Sequence, residues 1–211
     1  MNHPIFARIY ARRSVGEAHL QEAYRRELLG GLAGRVLEVG CGNGLNFAYY
    51  PPSVTEVVGV EPERYLRRQA NIASLEAPCP VRVVEGRAET VSEAVTGPFD
   101  AVVFSLVLCS ISDPRAALVD AKKVLNDGAA VRFYEHVVSD DPGAARLQRL
   151  FGPVWSTVAG GCRPDRDTLS VIREEFEISG ARGFDFCPGG RIPLGIVAPH
   201  VLARGVFRSG R

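Results

Sequence analysis

The stretch Val36-Leu37-Glu38-Val39-Gly40-Cys41-Gly42-Asn43-Gly44 decides the fold class of this 211-residue chain. An apolar run ends in three glycines at alternate positions, and a helix-compatible run follows. Glycine reaches backbone conformations closed to other residues and holds no side chain against a ligand, so such a turn brings bare N–H groups close to a bound molecule. Outward from this stretch, apolar runs at Val57–Val60, Val81–Val84, Ala101–Leu106 and Ala129–Tyr134 alternate with segments of helical periodicity. None shows the polar alternation of a strand with one wet face. The pattern predicts an α/β fold with a mostly parallel sheet and helices on both faces.

Two later runs, Gly183–Cys187 and Val201–Phe207, can close the sheet antiparallel and bring it to seven strands. Helices are expected over 17–33 (Leu20, Tyr24, Leu28 and Leu32 four apart), over 63–75, and near 166–177 around Leu169, Ile172 and Phe176. The clearest follows Asp113-Pro114, an N-cap and a first-turn proline, with Ala117, Leu118, Ala121, Val124 and Leu125 as its buried stripe and Asn126-Asp127-Gly128 as its end. The stretch 140–165 reads as loop. So does 187–199, whose prolines and glycines fit no regular element and suggest a functional loop or a crossover arm.

With 46% hydrophobic residues the chain can build one ordinary core, and 25 Lys and Arg against 24 Asp and Glu leave a net charge of +1. That balance gives no pull toward nucleic acid, and none is expected as a partner. The five cysteines, Cys41, Cys79, Cys109, Cys162 and Cys187, are odd in number, widely spaced and without a CxxC pair. They suit neither a disulfide framework nor a zinc site, so no metal is expected, and a reducing cytoplasm fits them. No apolar run approaches a membrane span or a signal peptide, so membrane contact is expected to be peripheral at most. The oligomeric state is left open.

The position where a dinucleotide fingerprint carries its third glycine or alanine is Leu45, which disfavours a turn that hugs a pyrophosphate. The glycine loop instead suits an uncharged or zwitterionic nucleoside ligand. Glu61 ends the second strand about 20 residues on, near the spacing at which an acid takes both ribose hydroxyls and repels a 2′-phosphate. The plainer role for Glu61 is to cap the 63–75 helix. Glu38 can accept from a ligand's ammonium or brace the loop.

These residues resemble the first and second motifs of class I S-adenosylmethionine-dependent methyltransferases, at Glu38, Gly40, Gly42, Gly44 and Glu61. Glu85-Gly86-Arg87-Ala88-Glu89 resembles the family's adenine-contacting turn, and the segment from Phe99 to Leu106 resembles its fourth-strand motif. The likeness spans about residues 30–136. It implies a Rossmann-like fold, S-adenosylmethionine as cofactor, and contacts to it from Glu38, Gly40, Gly42, Gly44, Asn46, Glu61, Pro62, Ala88, Glu89, Ser105 and Leu106. A narrower resemblance, to the methyltransferase-like thiol S-methyltransferases and their bacterial relatives, is carried by Gly40–Phe47, Tyr50-Pro51-Pro52, Leu106–Ser110, Glu135-His136-Val137, Gly161-Cys162 and Pro199-His200. The apolar membrane anchor of the animal members is missing, and the residues after Cys162 depart from their pattern. The expected organisation is a single domain over 1–211, with N-terminal lid helices in 1–33, a cofactor-binding core in 34–136 and an acceptor-side segment with the closing strands in 137–211.

Methyl transfer is an in-line displacement at an already activated carbon, so the protein mainly aligns the acceptor and, where needed, takes its proton. His136, at the carboxyl end of the fifth strand, is the first candidate for that base, with ordering of a loop as its plainer role. Glu135 is the alternative acid on the rim. Cys109 can line the acceptor pocket or serve as a small apolar core residue. Cys162 and His200 are weaker candidates for its walls. Phe6, Ile9 and Tyr10 with Arg8, Arg12 and Arg13 form a basic amphipathic stretch, read as a lid or an anionic-membrane contact, and Ile192, Leu194 and Ile196 are its counterparts in the 187–199 arm. The expected partner is a small-molecule acceptor: a thiol first by resemblance, with a quinone, phenol or lipid amine as alternatives. A nicotinamide oxidoreductase is disfavoured by Leu45, and a non-catalytic cofactor-binding module is the alternative from outside enzymes.

Overall fold

The computed structural model describes Arg8, Ala11, residues 18–186 and residues 197–210. In chain order the elements are α1 (Glu22–Leu29), β1 (Gly34–Val39), β2 (Val54–Val60), α2 (Arg64–Ala73), β3 (Val81–Val84), the single-turn α3 (Val91–Ala94), β4 (Phe99–Ser105), α4 (Pro114–Lys122), β5 (Leu125–His136), α5 (Pro142–Val158), α6 (Thr168–Glu175), β6 (Glu177–Asp185) and β7 (Pro199–Val206). One seven-stranded sheet carries them in the order β3-β2-β1-β4-β5-β7-β6. Strands β1 to β5 run parallel, and β7 pairs antiparallel with both β5 and β6.

Successive strand residues point to opposite faces, and along β1, β2 and β4 both faces are buried, whereas β6 at the edge has exposed positions. Leu37, Val39, Val58, Val102, Phe104, Val131 and Phe133 pack on one side against Val91, Ala117, Leu118, Ile172 and Phe176. On the other, Val36, Val57, Ala101, Val103 and Tyr134 meet Leu28, Leu29, Phe47 and Ala70. Each such large apolar side chain removed from water contributes roughly 1.5–3 kcal/mol. Continuous apolar strands were therefore the right reading of a two-sided sheet.

Several boundaries differ from expectation. The 140–165 stretch is not loop: Asp141 accepts from Ala144 N at 2.8 Å, Pro142 opens the first turn, and α5 runs for 17 residues. Gly152 lies inside α5 next to Pro153, and it is glycine because a Cβ there would meet Asp165 Oδ1 at 2.7 Å. The large residues of α5, Leu147, Leu150, Phe151, Val154 and Val158, are exposed. Asn126-Asp127-Gly128 does not end a helix either. It lies inside β5, where pairing slips between Phe99↔Leu125 and Ala101↔Ala130, while α4 stops at Lys122. Strand β6 begins at Glu177, six positions before the expected start at Gly183, and α1 ends at Leu29. After the glycine loop only one turn forms, Phe47–Tyr49, because Pro51-Pro52 cannot continue it.

Of the N-terminal segment, Ala11 is buried against Leu66, and the Arg8 guanidinium lies 5.8 Å from the Tyr65 ring. Phe6, Ile9, Tyr10, Arg12, Arg13, Cys187, Ile192, Leu194 and Ile196, on which the lid reading rests, lie outside the described residues. No helix among the described residues is long and apolar enough to cross a membrane.

Candidate active site

Val39 pairs with Val60 and with Phe104, and Val60 pairs with Val84, so four parallel strands end level. Gly40, Glu61, Glu85 and Ser105 consequently start four loops along one rim, beside the point where the strand order reverses from β1 to β4. Open α/β sheets bind ligands in that crevice.

The loop after β1 is held from three directions. Gly40 N and Cys41 N donate to Val60 O at 2.8 and 3.1 Å, and Gly42 N donates to Glu61 Oε2 at 3.0 Å. Gly40 has φ +68°, and a Cβ on it would come within 2.4 Å of the Val107 side chain. Both the backbone hand and the approach of the β4 loop therefore require glycine there. From beneath, Glu38 accepts from Asn46 Nδ2 at 2.8 Å and Tyr50 OH at 2.7 Å, while Arg25 Nη1 donates to Asn46 Oδ1 at 2.6 Å. Both polar ends of Asn46 and both oxygens of Glu38 are taken up in this buried network. Burial pushes the Glu38 carboxyl up to about 7, against the pull of its two donors. Arg25 was not singled out in the sequence, because an arginine on a helix carries no site signal by itself, and Tyr50 entered only through the Tyr50-Pro51-Pro52 resemblance, with no role assigned to it.

Glu61 is 7% exposed. Its Oε1 accepts from Glu63 N at 2.9 Å, and burial pushes its carboxyl up while the Glu63 and Gly42 N–H groups pull it down. The cap of α2 is Glu63, whose Oε2 accepts from Leu66 N at 2.8 Å. Glu61 is thus not the cap of α2. Pro62 follows, exposed. Ala88 is buried in the turn after β3, beside Glu89, which accepts from Ser112 Oγ at 2.9 Å. Ser105 Oγ is buried with no partner among the described residues. Leu106, at φ +58°, takes a left-handed backbone that costs a non-glycine residue about 1–3 kcal/mol and that clusters at ligand sites.

At the other half of the rim, Glu135 is turned inward. Its carboxylate accepts from Val107 N, Leu108 N and Cys109 N at 3.0, 3.0 and 3.2 Å, so it fixes the β4 loop and is not the rim acid. Burial pushes the Glu135 carboxyl up, and these three donors pull the other way. Cys109 is fully buried behind this turn, and its sulfur lies 3.4 Å from His136 Nδ1. Cys162 arrives from the far end of α5: its sulfur is 3.7 Å from the same Nδ1 and 3.9 Å from Cys109 Sγ. Gly161 permits the approach, since a Cβ there would meet Ser110 O at 2.5 Å, and Arg163 N then donates to Cys109 O at 2.7 Å. The sulfur–sulfur contact pushes Cys109 up and Cys162 down. For His136, burial lowers the imidazole, but Cys109 and Glu135 more than offset it and the net shift is upward. His200 pairs with His136 across β5 and β7, with ring centres 4.3 Å apart. Its Nδ1 lies 2.7 Å from Ala198 O and so carries the proton, and burial pushes it down to about 3, which keeps it neutral.

The methyltransferase-domain family matches residues 12–179. This chain belongs to it. The methyltransferase is 31% identical over 177 residues to thiol S-methyltransferase TMT1B of Rattus norvegicus, covering 81% of this chain and 70% of that protein. A ubiquinone biosynthesis O-methyltransferase of Alkalilimnicola ehrlichii is 30% identical over 111 residues, 52% of this chain and 45% of the other. Among solved structures, the N-methyltransferase NodS of Bradyrhizobium japonicum with bound S-adenosyl-L-homocysteine shares the fold, with a TM-score of 0.65 at 15% identity over 90% of this chain and 86% of that one. The protein is an S-adenosylmethionine-dependent enzyme, so the reading as a non-catalytic module falls. Its residues fit that cofactor: the Gly40 cradle that a Cβ would fill, the orphan Ser105 hydroxyl and the Glu61 carboxylate line one crevice.

Proposed function

We propose that this methyltransferase acts on a small thiol, that Gly40, Gly42, Gly44, Glu61, Pro62, Ala88, Glu89, Ser105 and Leu106 surround the cofactor, and that His136 is the group through which the acceptor loses its proton. The observation that carries the reading is the chemistry of the acceptor half. Cys109, His136 and Cys162 meet there, two sulfurs and an imidazole whose charged neighbours, Glu135 and Arg166, are opposite in sign, a soft setting suited to a sulfur nucleophile. The likeness to thiol S-methyltransferase TMT1B supports the same acceptor.

Bound S-adenosylmethionine supplies a methyl group already activated on a sulfonium. Glu61 receives the ribose hydroxyls on the lone pairs that Gly42 and Glu63 leave free. Glu38 and Asn46 act from below, holding the loop in shape through Tyr50 and Arg25. A thiol near neutral pH is mostly protonated, so its sulfur becomes a strong nucleophile only when the proton is drawn off beside His136. A small molecule needs no charged docking face, in keeping with a net charge of +1 and with no nucleic-acid partner.

Transfer of labelled methyl to a panel of alkyl thiols, phenols, quinols and lipid amines tests this. Thiols should accept, and His136→Ala should lower their turnover by about 10²–10⁴-fold while cofactor affinity stays within a small factor. The quinol reading, favoured by the likeness to the ubiquinone enzyme, replaces ours if quinols are methylated and thiols are not.

A further inference from the structure

Cys109 follows β4, His136 ends β5 and Cys162 follows α5, yet their ligand atoms all lie within 4.8 Å of one another. The three edges of this triangle measure 3.4 Å (Cys109 Sγ to His136 Nδ1), 3.7 Å (Cys162 Sγ to His136 Nδ1) and 3.9 Å (Cys109 Sγ to Cys162 Sγ). A tetrahedral zinc ion with bonds of about 2.3 Å to sulfur and 2.0–2.1 Å to nitrogen spaces its ligands at roughly 3.8 Å for two sulfurs and roughly 3.5 Å for sulfur and nitrogen. The observed edges match that face. A disulfide would need the sulfurs at about 2.05 Å, so the pair as it stands is not poised for one. No fourth His, Cys, Asp or Glu among the described residues joins the group.

We propose that Cys109, His136 and Cys162 bind a zinc ion whose fourth position takes the sulfur of the thiol acceptor. The inference rests on the thiol reading above and refines the part of His136: with Nδ1 on the metal it takes no proton itself, and the acceptor loses its proton because the cation holds the sulfur as thiolate. Two thiolates, a neutral imidazole and a divalent cation sum to zero charge, which makes the ion tolerable at a buried site. The surroundings match those of bound metals, where neighbouring groups fix the ligands. Glu135 holds the turn that carries Cys109, and Arg166 ties Leu108 O and Ile111 O to the Cys162 loop. Three protein ligands with one open position are the pattern of catalytic zinc.

The step balances without an oxidant. An acceptor R–SH binds through sulfur and releases its proton to solvent, which leaves a metal-held thiolate. Its sulfur forms a bond to the methyl carbon as the carbon–sulfonium bond breaks, and that electron pair stays on the departing sulfur as a neutral thioether. The product is also a neutral thioether, a poorer zinc ligand than a thiolate, so it leaves. Zinc keeps its charge throughout.

Purified full-length protein titrated with zinc against a chromophoric chelator, and then with cobalt(II), tests the site without any turnover. One zinc per chain is expected, with a thiolate-to-cobalt band that grows when a simple alkyl thiol is added. Cys109→Ser and Cys162→Ser should each lose more zinc affinity than the roughly 10–100-fold that removal of an outer-shell partner costs. Both should still bind cofactor by calorimetry, and Cys79→Ser should keep its zinc. Zinc retained by both serine variants, or no binding tighter than micromolar, overturns the site. A cobalt spectrum indifferent to thiol overturns the acceptor role. Undiminished thiol methylation after chelation, with no metal left, overturns the inference and leaves the thiol reading intact, whereas failure of that reading would appear in the acceptor panel as methylation of quinols or phenols alone.

Discussion

The two halves of the crevice are built on opposite plans. The half where we place the cofactor is mostly backbone: one loop of three glycines, its N–H groups pinned to Val60 O and Glu61, with the unpartnered Ser105 hydroxyl at the end of the adjacent strand β4. The half we assign to the acceptor is made of side chains, from the ends of β4 and β5 and from the turn after α5, brought together by Gly161 and the Arg163–Cys109 hydrogen bond. A backbone site needs neighbouring residues in a fixed order, whereas a side-chain site needs only that the fold deliver the right atoms. The halves meet where Gly40 faces the Val107 side chain.

The largest effect should come from breaking that touch. Gly40→Val adds a Cβ that would sit 2.4 Å from Val107 on a backbone of φ +68°. The wrong backbone hand alone costs about 1–2 kcal/mol, and the clash displaces the β4 loop as well. Calorimetry should detect no cofactor binding, and the thermal midpoint should fall. Full affinity in this variant would show that the two loops do not share the space assigned to them.

Next in size, Glu61→Ala separates the halves. Losing a charged hydrogen-bond acceptor should weaken cofactor binding by roughly 1–3 kcal/mol, about fivefold to 150-fold, and should leave zinc titration of the acceptor half unchanged. If metal affinity falls in step with cofactor affinity, the halves are one cooperative unit and the comparison fails.

The smallest effect concerns the brace beneath the glycine loop. The Glu38 carboxyl titrates at about 7 in the folded protein against an ordinary value of 4.5, because burial disfavours its charge. A raised value means that the folded state binds this proton more tightly than the unfolded chain does. The stability from this group is therefore fully present below about 4.5 and is lost as pH rises through about 7. Glu38→Gln stays neutral, so the midpoint difference between variant and parent should move in the variant's favour across that window by a few degrees. Parallel melting curves from low to neutral pH would place Glu38 in a wetter setting than the Asn46–Tyr50 network gives it.

The sequence by itself determined the parallel core, the glycine loop, Glu61 at the end of β2 and the rim position of His136. These signals are local: an apolar run marks a strand buried on both faces, and glycines at fixed offsets mark a close backbone approach. Helix α5 was not legible, because Gly152 and Pro153 look like breakers until Asp165 is seen filling the space beside Gly152. The roles of Glu135 and Glu63 also waited on the structure. A carboxylate's task depends on which N–H groups the fold turns toward it, and neighbouring letters do not say. The acceptor half shows the limit most sharply. Cys109 and Cys162 stand 53 positions apart with His136 between them, so no sequence motif joins the three. Sequence distance constrains a cluster only when one short element carries all of its members, and here the sheet brings Cys109 and His136 side by side while a glycine turn after α5 delivers Cys162.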